Sequence, residues 1–97
     1  MTKKLILCLS NSIIPSDGSV TSIGKNAFVS CYSLENVTIP ASITTIDNYA
    51  FFFCSGLTTI EFKGTIAQWN AIKKGSNWNY DVPTTCKVKC TDGTISI

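Results

Sequence analysis

The sequence predicts a β-rich solenoid: a right-handed stack of two 23-residue turns with short helical turns, closed by a C-terminal helix and strand. Three observations carry that expectation. Two segments match in register, apolar residues alternate within each, and a stretch with helix-capping chemistry follows the second.

The register comes first. At an offset of 23 residues Val20 pairs with Ile43, Thr21 with Thr44, Ile23 with Ile46, Ala27 with Ala50 and Phe28 with Phe51. It continues without a gap through Cys31 and Cys54, Leu34 and Leu57, Val37 and Ile60, and Ile39 and Phe62. Six of these nine pairs are identities, and the other three exchange one apolar residue for another, so chance is a poor explanation. A period in the twenties indicates turns that cannot bury their apolar sides alone and must stack on neighbours. Each paired apolar position should therefore form a ladder.

Within a turn, Leu34-x-x-Val37-x-Ile39 and Leu57-x-x-Ile60-x-Phe62 end in the alternation of a strand with one face on a core. Pro40 stops the first strand. Val20-x-x-Ile23 and Ile43-x-x-Ile46 predict short second strands on the opposite side, Ala27-Phe28 and Ala50-Phe51 tight helical turns, and Cys31 and Cys54 their closure. The expected organisation is an N-terminal strand or partial repeat over 1–14, two repeats over 15–63 and a capping segment over 64–97. The entry to the first repeat is two residues longer than the entry to the second, which predicts a loop around Asp17-Gly18.

In the last segment the Thr65 hydroxyl can cap free amides, and Gln68 three residues on completes a capping box. Gly75 is expected to end this helix. Ile66, Trp69 and Ile72 share one face, so Trp69 reads as a plug over the last repeat. Cys86, Val88 and Cys90 alternate as a final strand before the turn Asp92-Gly93.

Ile14-Pro15, Val-Thr-Ser-Ile-Gly at 20–24, Ala27-Phe28, Cys31, Leu34 and Val-Thr-Ile-Pro at 37–40 resemble BspA-like leucine-rich repeats. Gly-Thr-Ile-Ala-Gln-Trp-Asn-Ala-Ile at 64–72 is similar to the segment that often ends such arrays. The resemblance implies a leucine-rich-repeat solenoid whose concave face binds proteins. It also implies association with cell surfaces or secretion, and adhesion to host or matrix proteins. The concave strands should then present Glu35, Asn36, Thr38, Thr58, Thr59 and Glu61, a mildly acidic patch. Phe52 and Phe53, where the first repeat has Val29 and Ser30, form a second candidate as an apolar contact. The alternative is a truncated structural or self-associating fragment with no independent ligand.

Chemistry argues against an enzyme. There is no His, so neither a Ser-His-Asp triad nor a Cys-His pair can be assembled. The five cysteines lack Cys-x-x-Cys spacing, and no metal or other cofactor is expected. Cys31 and Cys54 fall one turn apart, where a disulfide is conceivable but a ladder of free thiols is favoured. Glu35 and Glu61 should stand about 11 Å apart, beyond the spacing of a glycosidase pair. All eight basic residues are Lys and the net charge is +2, so no nucleic-acid partner is expected. The apolar run Leu5–Leu9 is too short for a complete signal peptide and reads as a strand, and no stretch approaches a membrane span.

Overall fold

The computed structural model describes residues 11–14, 18 and 20–97, with backbone alone at 11–13. The strand expected at Leu5, Leu7 and Leu9, and the entry loop through Pro15 and Asp17, lie outside the described residues.

Strands alternate between two sheets as the chain advances. They are β1 (Asn11–Ile13), β2 (Ser22–Ile23), β3 (Asn36–Ile39), β4 (Thr45–Ile46) and β5 (Thr59–Phe62). Helix α1 (Ile66–Ala71), β6 (Lys73–Lys74), β7 (Lys87–Cys90) and β8 (Gly93–Ser96) complete the order. The larger sheet runs β1-β3-β5-β7-β8 and the smaller β2-β4-β6. All pairings are parallel except the closing β7-β8 hairpin.

The expected ladder is present. Val37 pairs with Ile60 and Ile39 with Phe62 in one sheet, and Ile23 with Ile46 in the other. These side chains point inward, and Leu34, Leu57, Val37, Ile60 and Ile46 are wholly buried in one core. Phe28 stacks on Phe51, with ring centroids 5.0 Å apart and planes 7° from parallel. Full burial of each aliphatic side chain contributes about 1.5–3 kcal/mol, and that burial requires the neighbouring turn.

The segments between the sheets differ from expectation. Residues 25–30 and 48–53 are hydrogen-bonded turns, not helices. Their amides alternate. Ala27, Val29 and Cys31 donate backward within their own turn, to Gly24, Asn26 and Phe28. Asn26, Phe28 and Ser30 donate forward to Asn48, Ala50 and Phe52 of the next turn, at 2.7–3.2 Å. Left-handed backbone at Asn26 (φ 60°) and Ser30 (φ 57°) interrupts any helical run. Each turn is thereby tied to its neighbour by backbone as well as by core packing.

A third turn follows the two that the repeat reveals. From β5 to β7 the register offset is 28 residues, since Thr59 pairs with Lys87 and Ile60 with Val88. The same offset relates Thr45 to Lys73. It also relates the left-handed residues Tyr49 and Phe53 to Asn77 and Asp81. The additional length contains α1. Its capping box is formed as expected: the Gln68 N–H donates to Thr65 Oγ1 at 3.1 Å, and the Thr65 N–H donates to Gln68 Oε1 at 2.8 Å. Asp92 Oδ1 accepts from the Ile66 N–H at 2.9 Å, which anchors the helix to the closing hairpin. Trp69 is buried, edge-on to Phe62 at 5.4 Å and Trp78 at 5.9 Å, as a plug should be.

The helix stops at Ala71, short of Gly75, because Lys73 and Lys74 are drawn into the smaller sheet. Lys74 Nζ reaches back to donate to Trp69 O at 2.7 Å and lies 4.7 Å from the Trp69 ring centre, so it serves the helix end from a strand. Burial pushes its pKa down. Gly75 acts between turns instead of ending the helix. A Cβ there would lie 2.6 Å from the Asn48 backbone nitrogen, so only glycine allows this close approach.

Candidate partner-binding faces

Alternation along the larger sheet turns its apolar residues to the core and its polar residues outward. The pairing then aligns the outward residues in rows. Asn36, Thr59, Lys87 and Ser96 form one row. Thr38, Glu61, Lys89 and Thr94 form the next. Asn36, Thr38 and Thr59 are half-buried by their neighbours, whereas Glu61, Lys87 and Lys89 are exposed. Glu35 and Thr58 lie at the entrance to this face, where the Glu35 carbonyl accepts from the Thr58 N–H at 2.8 Å and the Thr58 hydroxyl at 3.0 Å.

The structure therefore places the six expected face residues on or beside one sheet surface, but its charge differs from the acidic patch expected of them. Lys63 Nζ lies 3.0 Å from Glu61 Oε2. Lys89 stands opposite Glu61 on the other side. Three lysines thus accompany two glutamates. Sequence reasoning misses Lys87 and Lys89 because the 28-residue offset of β7 breaks the shorter period. The signal that could find them is the pair Asn77 and Asp81, spaced like Asn26 and Ser30 and followed by the alternation of Cys86, Val88 and Cys90.

Phe51, Phe52 and Phe53 divide sharply. Phe51 is wholly buried, while Phe52 and Phe53 are half-buried on the turn side. Their rings lie 4.2 Å apart, and Phe52 stacks on Tyr80 at 5.2 Å and meets Tyr49 edge-on at 5.2 Å. The outermost member of this cluster is Tyr80, 53% exposed. Phe52 and Phe53 are therefore largely engaged with other rings.

The thiol ladder needs correction. Cys31 is disulfide-bonded, whereas Cys54, Cys86 and Cys90 carry free thiols. No bond joins Cys31 to Cys54: the Cys54 Sγ donates instead to Phe28 O at 3.0 Å. Burial pushes the Cys54 thiol up to about 11, against a smaller lowering by the Cys31 backbone, and burial pushes Cys86 up to about 11. Such thiols are poor nucleophiles. Among the described residues, no three Cys, Asp or Glu side chains gather as a metal set.

Parallel strands stacked turn upon turn, with the same side chains recurring in interior columns, define a β-rich repeat protein. A family model described as a BspA-type leucine-rich repeat region of six copies matches residues 6–79. The chain belongs to that family. The match runs beyond residue 63 into the third turn. Comparison with curated proteins and with solved structures gives no match. Leucine-rich repeats generally mediate protein interactions. Among the described residues no helix is long and apolar enough to cross a membrane.

Proposed function

We propose that this chain is a protein-binding module that works without catalysis, in which the outer face of the larger sheet is the concave surface of a right-handed solenoid. The observation that carries this reading is the contrast between the two sides of that sheet. Its inner residues Val37, Ile39, Ile60, Phe62 and Val88 are buried in the core, while its outer residues form continuous rows of hydroxyl, amide, carboxylate and ammonium groups. Repeat folds offer such extended sheets to partners. Membership of the BspA-type family supports adhesion to host or matrix proteins and a place at the cell surface or in secretion. A stable interface uses about 800 Å² per partner, so contact should extend over most of the sheet.

The test is binding of the chain to a panel of soluble matrix proteins by interferometry. Replacing Thr38 and Thr59 together by Tyr should leave the unfolding midpoint near that of the parent and weaken binding by about tenfold, because two bulky side chains would stand in the middle of the face. Undiminished affinity in a folded double variant would remove this face from the function.

A further inference from the structure

We propose that the partner of the larger sheet is an acidic protein segment in extended conformation, lying along β7; this rests on the preceding reading and assigns the chemistry of its ligand. Lys87 and Lys89 occupy successive outward positions of β7, and both are exposed. Their backbone positions are therefore about 6.7 Å apart, two residues along a strand. Carboxylates on alternate residues of an extended partner repeat at the same spacing. The two repeats match.

The surroundings also suit an anion. Among the described residues the one ion pair is Lys63 with Glu61, so neither Lys87 nor Lys89 is neutralised within ion-pair distance. Among the described residues Lys87 Nζ meets the Ser96 hydroxyl alone, at 3.4 Å. Its row contains no carboxylate, since Asn36, Thr59 and Ser96 are all neutral. Thr59 and Ser96 pair with Lys87, and Thr94 with Lys89, so hydroxyl-bearing residues adjoin both lysines in the sheet. Glu61 stands opposite Lys89 across the strand pair, and Lys63 already engages it. A partner rich in acceptors and negative charge is the electrostatic complement of such a surface.

The experiment is fluorescence anisotropy with the intact chain and two labelled ten-residue peptides, one alternating Glu with Thr and the other Gln with Thr. The Glu peptide should bind and the Gln peptide should not. Lys87→Glu with Lys89→Glu should weaken binding by about tenfold or more, and raising NaCl from about 50 to 500 mM should act in the same direction. Lys87→Gln with Lys89→Gln repeats the test without introducing like charges. Glu61→Gln should tighten binding about two- to threefold, a sign that mere structural damage does not produce. Lys73→Glu, exposed on the smaller sheet, should change nothing. Equal binding of both peptides, indifference to the β7 variants, or binding of a heparin fragment in place of the Glu peptide overturns the inference. If the peptide fails while Thr38→Tyr with Thr59→Tyr still disrupts a matrix-protein complex, the face is a binding site and its acidic ligand is wrong.

Discussion

Phe51, Phe52 and Phe53 are chemically identical neighbours with different physical roles. Phe51 fills the column above Phe28, wholly buried. Phe51→Ala should cost about 3–5 kcal/mol, measured by urea unfolding, because a cavity would open in two turns at once. Phe53 lies outside the core with φ 64°, in a conformation costing an L-residue about 1–2 kcal/mol. Its counterparts in the other turns are Ser30 and Asp81, and those of Tyr49 are Asn26 and Asn77. Ring contacts to Phe52 and Tyr80 offset that strain at Phe53. Phe53→Asn should therefore change stability by less than about 1 kcal/mol, since it relieves strain while losing those contacts. A loss as large as that of Phe51→Ala would show that the turn side is part of the main core.

At the scale of elements, the third turn shows how a repeat can persist after its sequence signal fades. Lys74 takes the strand position of Ile46 and Trp78 the turn position of Ala50, so the interior column changes composition. The backbone pattern continues: Tyr49, Phe51 and Phe53 donate to Ser76, Trp78 and Tyr80 at 2.7–3.1 Å. Helix α1 fills the longer connection, yet six residues are too few for a helix to persist unaided. It depends on its cap and on Trp69. Thr65→Ala should cost about 1 kcal/mol, seen as a lower urea midpoint by tryptophan fluorescence. Thr65→Ser should recover most of it, and equal losses in both variants would show that the hydroxyl does not matter.

For the whole molecule, the buried thiols link stability to alkaline pH. Cys54 and Cys86 have folded-state values of about 11, above the ordinary 9.0. Between these values the unfolded chain has released protons that the native chain keeps, so stability falls as pH rises. It should be fully present below about pH 9 and decline as pH rises through about 11. Urea midpoints at pH 8 and 10.5 would measure the fall, and Cys54→Ala with Cys86→Ala should reduce it relative to the parent. An identical alkaline fall in that variant would remove the thiols as its cause.

Features that depend on local chemistry and strict periodicity are legible in the amino-acid order. These are the 23-residue register, the inward columns through Phe28 and Phe51 and through Leu34 and Leu57, the Thr65–Gln68 capping box and the burial of Trp69. Four outward residues of the candidate face, Asn36, Thr38, Thr59 and Glu61, are legible for the same reason: alternation assigns a side as soon as a strand is placed. Other features emerge only when distant segments meet in the folded chain. The third turn, the addition of Lys87 and Lys89 to the face, and the pairing of Phe52 with Tyr80 all follow from a 28-residue offset. Backbone hydrogen bonds and packing accommodate that longer connection because they act on groups brought together in space, whatever the number of residues between them.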